Sequence, residues 1–106
     1  MIWTIYYTAE AKQDLRVIHE YISDVLMAPT AAVNQIRKIM EGVRGLEEMP
    51  MRHRLYEEEP WYTQGMRFFP VGNYLVFYVP DETATTVNIL RIMYRGRDLR
   101  KQLEGN

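Results

Sequence analysis

The side chains able to do chemistry fall into two stretches: Arg52, His53 and Arg54 followed by Arg67, then Arg91, Tyr94, Arg95 and Arg97 close to the C-terminus. A guanidinium offers a planar pair of charged donors that fits a phosphate and can stabilise negative charge developing during phosphoryl transfer. Phosphate contact is therefore the chemistry this pattern points to. His53 has the ordinary pKa for proton transfer near neutral pH, although a lone histidine is more often a surface or structural residue. Tyr94, with an ordinary pKa near ten, reads as a packing residue before it reads as a base. Strand alternation puts Arg91, Met93 and Arg95 on one face and Leu90, Ile92 and Tyr94 on the other, so Tyr94 and Arg95 converge only where the strand ends or bends.

Other chemistries lack their residues. The chain has no cysteine, which excludes thiol catalysis and a Cys-built zinc site, and its two histidines, His19 and His53, form no HxxxH pair. No metal and no cofactor is expected. Arg95-Gly96-Arg97 carries one glycine and no Walker lysine, so it is a turn and not a P-loop. Tyr74, Phe77 and Tyr78 could stack on bases only if exposed, whereas a covered strand needs them as core. The formal net charge of -1 is a poor match to a nucleic-acid binder. Acids dominate from Glu10 to Glu59, however, while Arg91, Arg95, Arg97, Arg100 and Lys101 are opposed locally by Asp98 and Glu104. Such a local excess can steer a polyanion, and its plain alternative is a solvated charged tail.

The elements that must position these groups are legible from periodicity. Met1 to Tyr7 predicts a strand with large apolar groups on both faces, expected to be covered and not a solvated edge. Thr8 is a plausible N-cap, and Ala11, Leu15, Ile18, Ile22 and Val25 repeat at helical spacing. Pro29 either marks a connector or sits in the first turn of a second helix, whose stripe is Ala32, Ile36, Ile39, Val43 and Leu46, widened by Val33 and Met40. From Met51 to Gly65 periodicity is lost, with Leu55, Tyr56, Trp61 and Tyr62 as anchors. Met66 to Pro70, Tyr74 to Val79 and Thr86 to Met93 predict three strands, separated by turns at Val71-Gly72-Asn73 and Pro80-Asp81-Glu82. Leu99 to Leu103 is long enough only for a marginal helix.

The expected architecture is an α+β domain of order β-α-α-β-β-β, spanning residues 1–106 as one domain, with a helical hairpin packed on an antiparallel sheet. No signal peptide is legible at the N-terminus, and no apolar run approaches the ~20 residues that span a bilayer. A soluble, cytoplasmic protein with no membrane partner is the expectation.

In their order and spacing, Gly72-Asn73-Tyr74-Leu75-Val76-Phe77-Tyr78 and Val87-Asn88-Ile89-Leu90-Arg91-Ile92-Met93-Tyr94-Arg95-Gly96-Arg97-Asp98 resemble the glycine-tyrosine strand and final basic strand of the RelE/ParE superfamily of type II toxins. The preceding strand and helix pair correspond as well, so the resemblance covers nearly the whole chain. It implies a toxin of a toxin-antitoxin system held in check by a cognate antitoxin. The superfamily contains ribosome-dependent mRNA endonucleases and ParE-type inhibitors of DNA gyrase. The first activity is the expectation here and noncatalytic gyrase inhibition the alternative. For cleavage, the resemblance makes Arg67, Tyr94, Arg95 and Arg97 the candidate catalytic residues and Arg52, His53, Arg54 and Arg91 the candidate RNA contacts. The chain departs from the nuclease pattern at Leu75, where an arginine is common, and at Tyr94, where a histidine is often found.

Overall fold

Thr8 is where strand gives way to helix. The computed structural model describes residues 2–96 and 98–104. In it β1 (Thr4–Tyr7) is followed directly by α1 (Ala9–Glu20), and Thr8 Oγ1 accepts the Ala11 N–H at 3.1 Å. This satisfies one of the amides that a helix start leaves unpaired. A π-helical turn over Tyr21–Val25 ends the helix, and Met27 takes the left-handed backbone conformation. α2 (Pro29–Arg44) then starts with its proline at the first helical position, where a missing N–H costs nothing. Two 3-10 turns, Gly45–Glu47 and Pro50–Arg52, lead into an irregular crossing. The strands β2 (Arg67–Val71), β3 (Tyr74–Asp81) and β4 (Thr86–Tyr94) follow, and a short α3 (Leu99–Glu104) comes after them.

The four strands lie in the order β1-β4-β3-β2. β2, β3 and β4 pair antiparallel, as expected, but β1 runs parallel to β4, with Thr4 opposite Thr86 and Tyr7 opposite Ile89. β1 is therefore an edge strand. Trp3, Ile5 and Tyr7 pack toward the helices, while Tyr6 is 55% exposed, which corrects the expectation of a strand covered on both faces.

Apolar side chains from both helices and one sheet face form the main core, with Ala11, Ile18, Ile39 and Val43 against Val76, Tyr78, Val87, Ile89 and Ile92. A fully buried aliphatic or aromatic side chain contributes about 1.5–3 kcal/mol, so this layer dominates stability. The opposite sheet face carries a second cluster of Tyr56, Met66, Leu75, Phe77 and Met93, covered by Trp61 and by Leu99 and Leu103 of α3. Among the described residues, no helix is long and apolar enough to cross a membrane.

Three further sequence readings shift. The π turn adds a residue to the helical repeat and rotates Val25 into solvent, 65% exposed, so the first stripe stops at Ile22. Val33 and Met40 are likewise outside the core. In β4 a bulge at Leu90 breaks the alternation: Phe77 pairs with Arg91, and Tyr78 with Ile89. Leu90 thereby joins the second cluster while Ile92 stays in the first, where simple alternation had put the two together. The expected turn at Pro80 is displaced too, because β3 continues through Pro80 and Asp81.

Candidate functional site

Arg67 sits at the start of β2, opposite Tyr78 on β3. Its Nη1 donates to the Met51 carbonyl at 3.0 Å and the His53 carbonyl at 2.6 Å, pinning the Pro50–Arg52 turn to the end of the sheet. Tyr78 completes the clamp: its buried hydroxyl donates to the Pro50 carbonyl at 2.6 Å. Burial pushes the Tyr78 phenol up to about 12, against the opposing charges of Arg67 and Arg52. The His53 imidazole stacks on Phe69 with centroids 4.6 Å apart, and Arg52 Nε donates to its Nε2 at 3.4 Å. Burial, and then the neighbouring Arg52 charge, lower the His53 pKa from its ordinary 6.5, so the ring is neutral at pH 7. Arg54 lies over the Phe68 ring, 4.9 Å from its centroid.

Arg52, His53, Arg54 and Arg67 are thus brought together at the β2 side of the sheet, as a basic patch with Arg52 and Arg54 exposed. Tyr94 and Arg95 are elsewhere. Tyr94 pairs with Tyr74, four residues along β3 from the partner of Arg67, a separation of about 13 Å at the rise of a strand. Its ring meets Tyr74 edge-on at 5.8 Å, and Arg95 is exposed with a long contact of 3.4 Å to the Gly72 carbonyl. Arg91 is turned to the free edge of β4, where it forms an ion pair with Asp14 of α1. Arg97 lies outside the described residues. The candidate catalytic residues that are described therefore do not converge on one phosphate: Arg67 belongs to one end of the sheet, Tyr94 and Arg95 to the other.

Leu75, at the position where the nuclease pattern has an arginine, is buried in the second cluster. The neutral His53, facing an arginine donor, is placed to accept a hydrogen bond and not to give up a proton. The basic patch is suited to electrostatic contact with a polyanion.

A larger feature escaped the sequence reading. Where β1 stops at Tyr7, the hairpin tip diverges from β4 and leaves a groove of about 750 Å³. Val17, Tyr21 and Leu26 line it on the helical side, Gln35 of α2 at its base, and Ile92 and Tyr94 along the strand. Val25-Leu26-Met27, an apolar run directly before Pro29, is the only sequence signal that the hairpin tip is apolar, and all three residues are exposed.

A family model described as the ParE toxin of the type II toxin-antitoxin system parDE matches residues 5–99. No protein of curated function matches the sequence significantly. Among solved structures, the chain is similar to one from a chromosomal ParDE toxin-antitoxin system of P. aeruginosa. The identity is 22% over 88% of this chain and 96% of that one, with a TM-score of 0.71. It is also similar to a chain of the RelBE2 toxin-antitoxin complex of Mycobacterium tuberculosis, with 24% identity, 90% and 100% coverage and a TM-score of 0.65. A third likeness is to the archaeal RelE-RelB complex of Pyrococcus horikoshii, with 18% identity, 92% and 100% coverage and a TM-score of 0.60. At these identities the likeness establishes the shared fold.

Proposed function

Because the chain belongs to the ParE toxin family of type II toxin-antitoxin systems, we propose that it is a noncatalytic toxin that binds DNA gyrase in the cytoplasm and blocks supercoiling. The observation that carries this reading is the dispersal of the nuclease candidates. Arg67 is spent on the Met51 and His53 carbonyls, Arg91 on Asp14, and Leu75 on the apolar face, while Tyr94 and Arg95 stand about 13 Å along the sheet from Arg67. In-line phosphoryl transfer needs its charged groups within reach of one phosphate. An inhibitor acting by protein contact has no such requirement, and exposed side chains on the helices and tail can serve it.

A cognate antitoxin is the second proposed partner, and this chain would be inactive while bound to it. The competing activity is ribosome-dependent mRNA cleavage. What favours it is the exposure of Arg95 beside Tyr94, with Arg52, His53 and Arg54 as a separate basic surface for the message. In that reading the RNA 2'-hydroxyl attacks the adjacent phosphate while arginines stabilise the transition state.

Brief expression without antitoxin separates the two. Gyrase supercoiling is assayed with purified toxin, and mRNA ends are mapped on isolated ribosomes in parallel. Inhibited supercoiling with intact messages is the expected result. New codon-positioned ends that disappear in Arg95→Ala, with gyrase unaffected, would overturn it.

A further inference from the structure

The sheet has two outer edges, β1 and β2, and the chain guards them unequally. Along β2 the Phe68 N–H donates to the Arg54 carbonyl at 3.1 Å, the Met66 carbonyl accepts the Tyr56 N–H at 2.9 Å, and Pro70 has no N–H to offer. Along β1 the guard is confined to one position, where the Trp3 N–H donates to the Glu47 carbonyl at 2.9 Å. The Thr4 and Thr8 amides donate inward, to the Thr85 and Ile89 carbonyls, so alternation turns the backbone of Ile5 and Tyr7 outward. Among the described residues, no backbone group is placed against the N–H and C=O of either.

Side chains do not protect this edge either. From Ile2 to Thr8 the chain carries no charge. Trp3, Ile5 and Tyr7 pack toward the helices, while on the other face Ile2 and Tyr6 are 61% and 55% exposed with Thr4 exposed between them. An edge without a charge, a proline or a cover is a template for another strand.

We propose that β1 pairs with β1 of a second copy, antiparallel about a two-fold axis at Tyr6, joining the two sheets edge to edge. The free backbone groups select this register. Ile5 then stands opposite Tyr7 of the second copy, each exchanging N–H and C=O with the other, and the axis repeats the pair. Centring the axis on Ile5 would set Tyr7 against Trp3, whose N–H Glu47 already holds. In the chosen register the second copy turns into its own α1 at Ala9, the residue that would otherwise reach Trp3 and Glu47. Charge favours a second copy as the occupant. Around a two-fold axis a strand meets its own residues, so a charge near the centre would repel itself, whereas here Tyr6 meets Tyr6 and Thr4 meets Thr8. The strip is short, well below the roughly 800 Å² per partner of a standard interface. Association is therefore reversible, with a Kd of roughly 10 μM to 1 mM. It does not depend on which target the toxin attacks.

The test uses the full chain without antitoxin. Sedimentation equilibrium from micromolar to millimolar concentration should show a monomer-dimer equilibrium, and Tyr6→Lys, which sets two like charges face to face, should weaken it by about tenfold or more. Because Tyr6 is exposed, the thermal midpoint of the monomer should hardly change. Register is read by disulfide trapping, since the chain has no cysteine of its own. Tyr6→Cys should cross-link under mild oxidation: directly opposed residues of a non-hydrogen-bonded pair have Cα atoms about 4.5 Å apart, within disulfide reach. Thr4→Cys should not, because the two copies of that residue lie about 13 Å apart along the strands. A chain that stays monomeric at millimolar concentration overturns the proposal. So does a dimer indifferent to Tyr6→Lys, which places the interface elsewhere, and so does trapping by Thr4→Cys in preference to Tyr6→Cys, which means another register.

Discussion

Asp14 and Arg91, far apart in sequence, form a bidentate pair at the edge of the sheet: Arg91 Nε and Nη2 donate to the two carboxylate oxygens at 2.8 and 3.0 Å. The same carboxylate accepts the Ile92 N–H, so one α1 side chain ties the helix to β4 where β1 has ended. Both side chains are about one-sixth exposed, at 16% and 15%. Asp14→Ala strands the guanidinium and an edge amide together and should cost about 2–3 kcal/mol. Arg91→Met, which keeps the aliphatic stem, should cost less. Urea denaturation of both single variants and the double variant checks this; additive losses would mean that the pair is not a coupled unit.

Tyr78→Phe removes the hydroxyl that serves the Pro50 carbonyl in the buried clamp and should cost about 1–2 kcal/mol at pH 7. The folded phenol titrates at about 12, against 10 in the unfolded chain. A raised pKa means that the stabilisation is complete below pH 10 and disappears as pH rises from about 10 through 12. Wild type should lose stability across that window more steeply than Tyr78→Phe, as followed by denaturant midpoints at each pH.

The His53 pKa moves the other way. Because the folded ring is held neutral, its contribution is present above pH 6.5 and lost as pH falls through its lowered folded value. Histidine proton shifts should show a midpoint below 6.5, and Arg52→Gln should raise it by removing the second cause. An unchanged midpoint in that variant would mean that the Arg52 charge does not reach the ring.

Gly96 lies against the Tyr94 ring: a Cβ placed there would stand 2.6 Å from Tyr94 Cε2. Gly96→Ala should push the ring off Tyr74, visible as altered ring-current shifts of the two tyrosines, while the cores on either side of the sheet stay intact. Unmoved Tyr74 and Tyr94 resonances would contradict this.

The antiparallel part of the sheet was legible because β-branched and aromatic runs were separated by turn residues. Gly72, with φ of +58°, permits the tight reversal between β2 and β3 that its position in the sequence announces. The helices were legible for the same local reason: their stripes are set by a repeat of 3.6 residues, and Thr8 and Pro29 mark their starts by chemistry confined to one turn. The basic residues at Arg52, Arg54 and Arg67 were legible as residue types, but not as neighbours.

What the tertiary structure decided are relations between segments distant in the chain. Parallel pairing of β1 with β4 makes β1 an edge, and no local pattern encodes which strand a first strand will join. A single bulged residue, Leu90, reverses the facing of the strand after it, because side chains alternate with a period of two and one extra residue shifts every later position. Whether an arginine is free or spent depends on what lies opposite: Arg67 finds the Met51 and His53 carbonyls, Arg91 finds Asp14, and Arg95 remains in solvent. The sequence alone determined the charges and the elements that carry them, since both are set within a few residues. Their pairing, and the groove left where β1 ends, follow from long-range packing that brings Asp14 to Arg91 and Gln35 to the edge of the sheet.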